Sequence, residues 1–542
     1  MTTHDLFVDE LSATLAGVEP TPPARRWLDD TTAELVEVHL PRALAEATLP
    51  PGHWFIPRLE LALRCRDVAA LPPLAADWSR AIVEALARSV ATDRSCVHFG
   101  NDVELVAAYL VAAVSTDPSA DWVWARCGMD DATTRALPPA ERVVAALVGR
   151  PHVAVAAMVR AAEVCSVAAL DRALGEAGWQ AVAVAAGAEA AVLEPPPSGY
   201  GEEPAEPDHT VEAMVTSATL GRLLLGSRLR PSAATAQAWA WLVVAEVEPA
   251  WLTTSRLSRT VGGVASVLLE RLTEARLARA AALRDVPSAR EETAARQAAH
   301  GLPGAAPRES TAESSPLDPD SPYGGTQAPV REAGRADPRL AVAVEEDGIR
   351  EQSQGEDVPV VEEVADTAAA GISSQLAGLL HLLATATAAG LPDRVLDDPG
   401  LADRGVRWAV WQAALLLTAA RPDDPAVLAL AGLATDRTGA LLDAAPATAA
   451  ERRRLAVLAA RWRRVTVARL CSFDPDVAGP LAGAAAVLGW LVTRPGQIDA
   501  EPGWITVVLP LSGVEPAIRA AGLDLDPGFV PWLGTVVRFH YE

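Results

Sequence analysis

Nine histidines, five cysteines and several paired aspartates are the side chains of this 542-residue sequence that could do chemistry. The histidines are His4, His39, His53, His98, His152, His209, His300, His381 and His540. No two stand four apart on one helix and no HExxH occurs, so a zinc site on a helix face is not legible. His381 lies in the leucine run LLHLL and reads as a hydrogen-bonded core histidine. His540, near the end of the chain, reads as structural. The cysteines are Cys65, Cys96, Cys127, Cys165 and Cys471. They form no CxxC, and the one Cys-x-His, Cys96-Val97-His98, has no second ligand pair. Reduced, buried thiols fit this usage better than a metal or disulfide framework. Acids pair at Asp29–Asp30, Asp130–Asp131, Asp397–Asp398 and Asp423–Asp424, and Asp524 stands near Asp526. Each set flanks a predicted turn, where helix capping and turn formation account for it. A calcium loop at Asp524–Gly528 lacks further ligands. The chain has no GxSxG and no GxGxxG opening a helix. It also has no lysine, which excludes Walker A sites, the usual kinase site and Schiff-base chemistry. Gly262–Gly263 reads as a packing or hinge pair within a helix. No catalytic residue, cofactor or metal site is expected.

The elements that would position any site fall into blocks. The fold class expected is mainly α with small β elements, in helical blocks joined by a disordered acidic linker. An N-terminal α+β domain covers 1–193. Within it, a helical pattern after Pro22–Pro23 is interrupted at Pro41. Period-two alternation over Trp54–Asp67 predicts a half-buried strand. A helix follows over Leu74–Val90, then a short strand at Cys96–Phe99. Asn101 or Asp102 caps a helix over Val103–Val114. A Pro/Gly/acidic linker occupies 194–208. A helical block spans 209–285, with apolar faces at Leu220–Leu225, Trp239–Val247 and Val264–Leu283. Residues 286–372 hold 7 arginines and 17 acids, no tryptophan and no phenylalanine. Such a composition buries too little apolar surface to offset chain entropy, so disorder is expected. The last block, 373–542, combines helices at Leu376–Leu383, Leu401–Ala419, Ala426–Ala434 and Ala450–Leu470 with terminal strands at Trp504–Leu511 and Val536–Glu542.

Charge narrows the partners. The formal net charge is −24, and −10 of it belongs to 286–372. The acidic balance argues against nucleic acid and against an anionic membrane surface. The longest uncharged apolar run, Val477–Val492, contains Pro480 and is shorter than the ~20 residues a bilayer span needs, so no membrane insertion is expected. The start, MTTHDLFVDE, is no secretory signal, and a cytoplasmic location is expected. The helix over Ala450–Leu470 is the basic exception, with Arg452, Arg453, Arg454, Arg461, Arg463, Arg464 and Arg469. It is either a solvated face or a contact for an acidic partner, which the chain's own 286–372 stretch would supply. Most of the fifteen tryptophans sit in apolar stripes. Trp504 and Trp532 flank the terminal strands as possible interface anchors. The candidate protein-contact residues are therefore Trp504, Trp532, Arg461, Arg463 and Arg464.

Two stretches resemble proteins encoded with phage-tail-like contractile injection systems. The first comprises RLELAL (Arg58–Leu63), LAADWSRAIVEAL (Leu74–Leu86), VHFGNDVELVAAYL (Val97–Leu110) and LPPAERVVAAL (Leu137–Leu147). The second comprises AGLLHLL (Ala377–Leu383), GVRWAVWQAALLL (Gly405–Leu417), DDPAVLALAGL (Asp423–Leu433) and the closing AGLDLDPGFVPWLGTVVRFHYE. The family pattern after Leu110 is rich in Trp, Arg and Tyr, whereas Asp121–Met129 here lacks tyrosine. The resemblance implies a non-enzymatic structural or assembly role among the protein components of such a particle, with incorporation into it. Related proteins are commonly labelled tape measure. A ruler inside a tube should be one continuous helix, and 42 prolines forbid that here. An assembly or accessory protein is the expectation. The competing classes are a regulatory adaptor recruiting partners through the acidic linker, and a soluble enzyme with a site built from scattered residues.

Overall fold

Stripes of leucine, valine and tryptophan at helical spacing fold most of the chain into helices, and one run of β-branched residues near the end seeds a sheet. The computed structural model describes residues 21–47, 49, 52–59, 61, 71–92, 96–115, 121–193, 209–284, 371–434, 439–474 and 483–542. The expected linker 194–208 lies outside these residues. So does the expected acidic linker 286–372, apart from Gly371 and Ile372, and Ile372 already opens a strand. The described residues are mainly helical with two small sheets.

The first described elements are α1 (Pro22–Glu34) and α2 (Leu40–Glu46), joined without a break by a π-helical turn at Leu35–His39. Pro41 therefore does not end the helical run. It lacks an N–H and crowds the preceding turn, and the backbone widens there instead of stopping. Strand β1 (His53–Phe55), helix α3 (Leu71–Thr92) and strand β2 (Val97–Phe99) follow. β1 and β2 pair antiparallel, with His53 opposite Phe99. Of the strand expected over Trp54–Asp67, Trp54 and Phe55 fall in β1, 56–59 are not strand, Leu61 is a lone bridge residue, and 60 and 62–67 lie outside the described residues. A small cluster of Leu35, Leu40, Leu44, Trp78, Ile82 and Leu86 holds these first helices together.

Helices α4 (Asp102–Ser115), α5 (Asp121–Arg126), α6 (Ala132–Arg135), α7 (Pro139–Val148), α8 (Ala154–Cys165), α9 (Val167–Ala185) and α10 (Ala190–Leu193) come next. Asn101 caps α4 by accepting the Glu104 N–H at 3.0 Å. Pro139 opens α7, where a missing N–H costs nothing. After the gap come α11 (His209–Ser217), α12 (Thr219–Gly226), α13 (Ala233–Val247) and α14 (Leu257–Arg284). One continuous core runs from Phe99 to Leu272 through α4, α8, α9, α13 and α14. α13 is its axis: Trp239 and Trp241 are buried and the helix is apolar all round.

The second lobe starts at β3 (Ile372–Ser374) and continues through a 3₁₀ turn, Ala377–Leu382, into α15 (Leu383–Ala386). Then come α16 (Leu391–Asp397), α17 (Val406–Thr418), α18 (Pro425–Leu430), α19 (Gly439–Leu442), α20 (Ala449–Phe473) and α21 (Ala484–Val492). Strands β4 (Gly496–Glu501) and β5 (Trp504–Leu509), helix α22 (Pro516–Ala520), and strands β6 (Gly528–Val530) and β7 (Thr535–Tyr541) close the chain. The sheet order is β3-β4-β5-β7-β6. β4 and β5 form a hairpin whose Pro502-Gly503 turn requires the positive φ of Gly503. β5 and β7 are parallel, from Trp504 opposite Val536 to Leu509 opposite Tyr541. The two terminal strands read from the sequence are thus neighbours, inside a sheet of five rather than two.

The lobes are bonded to one another. Val536 belongs to the first core and Ala250 to the second. Arg256 donates to Asp403 at 2.7 Å and Asn101 to Glu501 at 2.7 Å. Arg407 donates to the backbone oxygens of Glu246 at 3.0 Å and Leu533 at 2.6 Å. Glu248 is buried and accepts the Val406 N–H at 3.1 Å.

Candidate functional site

The arginine-rich helix α20 is built to face two ways. Leu455, Ala459, Trp462, Thr466 and Leu470 recur at helical spacing and are buried. The Trp462 indole donates to the Leu382 carbonyl at 3.1 Å, and Thr466 and Thr385 share a hydrogen bond of 2.6 Å. These buried bonds fix the rotation of the helix, and the arginines follow from it. A capping box starts it: Thr448 accepts the Glu451 N–H at 3.2 Å and Glu451 accepts the Thr448 N–H at 2.6 Å. Arg404 also donates to Glu451, at 2.9 Å, and holds its carboxyl down to about 2.

On the flank of α20 lies an open groove of ≈ 840 Å³, walled on the other side by the turn before α16 and by α16 itself. Its charged lining is Arg394, Arg454 and Arg461 with Asp393, Asp397 and Asp398. Arg461 is anchored, its Nε donating to the Ala389 carbonyl at 2.7 Å, and Arg454 stands 3.5 Å from Asp398. Val457 in the wall is 68% exposed, an apolar side chain that nothing described covers. Mixed charge around an apolar centre, in an open trough rather than an enclosed cavity, suits an extended peptide.

The structure separates the candidate contact residues. Arg461 lines the groove, Arg463 is half-buried with no partner for its Nε among the described residues, and Arg464 is exposed. Trp504 is half-buried: it packs on the first-lobe core while its strand belongs to the second-lobe sheet, with the Arg538 guanidinium 5.9 Å from its ring. Trp532 packs against the second core. Both tryptophans are thus engaged within the chain.

Two further constellations were not legible from spacing. His53 Nε2 lies 2.8 Å from the Asp102 carboxylate, and this bond holds the Asp102 pKa below the usual range. Beside it the rings of Trp54 and His98 stack at 3.7 Å. Farther on, Asp524 is buried and accepts from Tyr541 at 3.0 Å and Arg519 at 3.2 Å. Burial next to that carboxylate keeps the Tyr541 hydroxyl protonated. His381 is also buried there, and among the described residues neither ring nitrogen has a hydrogen-bond partner, which departs from the hydrogen-bonded reading. Desolvation pushes its pKa down to about 4. Asp130, expected in a turn, is instead buried against Arg135 and Arg142 at 3.2 and 3.5 Å, while its neighbour Asp131 does cap α6. All these pairs join residues distant in sequence or hidden inside ordinary turn composition, so no local signal marks them.

Among the described residues, no group of three or more His, Cys, Asp or Glu side chains is arranged to hold a metal ion. No described helix is long and apolar enough to cross a membrane. Comparison with protein-family models, with curated proteins and with solved structures finds no match for this chain.

Proposed function

We propose that this chain is a structural or assembly protein that works by binding another protein, and that its setting is a phage-tail-like contractile injection particle. The observation that carries the binding role is the groove beside α20, with its exposed Val457 between arginines and aspartates. The setting rests on the sequence resemblance of the two stretches given above. An assembly role is favoured over a literal ruler. The longest described helix, α14, has 28 residues. That corresponds to roughly 42 Å, and it is folded back into the core of its lobe.

The test is to purify particles from the producing organism and search mature and immature fractions for this chain by mass spectrometry. The chain should be present in at least one fraction. Replacing Arg394 and Arg454 by Glu and Val457 by Asp should deplete it about tenfold, given the energies of interface contacts, with an unchanged melting curve. Absence from both fractions would overturn the proposal. The enzyme reading has one observation in its favour, the half-exposed His53–Asp102 pair, which has the form of an oriented general base. Normal particle assembly by His53→Gln would leave that pair no part in the assembly role.

A further inference from the structure

The groove beside α20 is half of a larger surface, and the ridge of α20 itself is the other half. Buried Leu455, Ala459, Trp462 and Thr466 fix which side of the helix points outward. At helical spacing from them, Val457 stands at the crest, and Arg453 and Arg464 lie on the flank turned away from the groove. Both arginines are exposed and have no ion-pair partner among the described residues. The opposite wall of the groove, α16, carries the other sign. Asp393 and Asp397 are exposed there, one turn apart on one face, and they too have no ion-pair partner among the described residues. Arg394 offsets only one of the three acids on that wall. A basic ridge with an apolar crest thus stands beside a trough whose far wall is acidic.

A surface of this form complements itself. A two-fold axis brings each feature of one copy onto its counterpart in the other. An axis lying across the groove would set ridge on ridge and acid on acid, which shape and charge both oppose. An axis lying along the groove lays the ridge of each copy in the groove of the other. The flank with Arg453 and Arg464 then faces α16 of the second copy. The levels agree as well. α16 runs antiparallel to α20, because Ala389 before it accepts from Arg461 and Asp398 after it pairs with Arg454. Asp397 is therefore nearly level with Arg453, and Asp393 is level with the stretch between Arg453 and Arg464. An axis along the groove preserves these levels, so the two acids of each copy meet the arginine flank of the other. The same packing covers Val457, which is 68% exposed in the single chain. Symmetry makes every contact twice, which matters where each ion pair is weak. With 25 residues, α20 is roughly 37 Å long, enough to cross a standard interface of about 800 Å² per copy.

We propose that a second copy of this chain occupies the groove, in a two-fold dimer whose α20 helices run parallel, the ridge of each lying in the groove of the other. This names the partner of the groove and rests on the reading of the groove as a protein-binding surface.

The test is the molar mass of the full chain in solution, read by light scattering at micromolar concentration. Four samples are compared: the parent, Asp393→Arg/Asp397→Arg, Arg453→Asp/Arg464→Asp, and an equimolar mixture of the two variants. The parent should have twice the mass of one chain. Each variant alone sets like charges against each other and should fall twofold, to the mass of one chain, with its helical circular dichroism unchanged. The mixture should return to twice the mass, because one pair of walls is then native and the other is reversed on both sides. If a reversed chain fails to fold, Val457→Glu replaces it and should also give the mass of one chain. A parent of one-chain mass would overturn the proposal, as would folded variants that stay dimeric or a mixture that stays monomeric. A chain found in particles but monomeric in solution keeps the assembly role and loses this dimer. A chain that passes the charge exchange but is absent from particles does the reverse.

Discussion

Glu248 closes the end of α13 with its carboxyl inside the junction between lobes, where it accepts the Val406 N–H. Burial raises its pKa from 4.5 to about 7, against the opposing pull of Arg407. A carboxyl whose folded pKa is raised adds stability below pH 4.5 that is lost as pH rises through 7. Glu248→Gln keeps an acceptor for Val406 and never ionises. It should match the parent near pH 5 and exceed it by up to about 3 kcal/mol at pH 9, read from denaturant unfolding at both pH values. An equal difference at both would show that ionisation is not involved. His381 has the opposite dependence. Its pKa falls from 6.5 to about 4 because the buried ring is kept neutral. Stability is therefore lost as pH drops from 6.5 through 4, by about 3 kcal/mol at most. His381→Leu should flatten that acid limb, and an unchanged limb would assign it to other groups. At this scale the sequence made the caps legible, as at Asp131 and Asp424, because a cap is local. Glu248 was hidden because its partner lies far along the chain, whereas Asp524 was visible only as a turn residue and its bonds to Arg519 and Tyr541 were not.

The helices follow the hydrophobic period closely: Leu71–Thr92, Asp102–Ser115 and Ala449–Phe473 each extend only a few residues beyond the apolar stripe that announces them. The strands were less legible, for a physical reason. β4 reads GQIDAE, and β3 and β6 have three residues each, so none presents a run of β-branched residues. They are strands because β5 and β7 offer unpaired backbone to β4 and β6, and β4 in turn offers its free edge to β3. The groove could not be read either, because its far wall comes from α16, more than fifty residues before α20. The orientation of α20 yields an element-level prediction. Thr448→Ala removes one half of the capping box and should cost about 1 kcal/mol. Trp462→Ala removes a fully buried indole with two hydrogen bonds and should cost about 3–5 kcal/mol. Guanidinium titrations of both variants read the two values. Equal losses would mean that the buried stripe does not hold the helix.

Among the described residues two large cores are joined by a short polar seam, and the seam decides whether those two unfold as one body. The carboxyls of Glu246 and Glu248, two residues apart at the end of α13, bond the first N–H groups of two helices in different lobes, α12 and α17. Arg407 completes the seam by donating to a carbonyl of each lobe. Gly405 has φ +81° and sits against the Glu248 carboxylate, so an added methyl would both strain the backbone and collide with that group. Leaving a half-buried carbonyl unpaired costs about 1–3 kcal/mol. Arg407→Met should lose that from each side, and Gly405→Ala should displace Glu248 from Val406. Neither change touches the interior of either core. Seam variants should therefore lower the temperature at which the lobes separate while leaving each core's own melting in place. Calorimetry of the parent is expected to show one transition, and of the Gly405→Ala/Arg407→Met chain two. If the double variant still melts in one transition, shifted down, then the apolar contacts of Val536 and Trp504 with the first core couple the lobes without the polar seam.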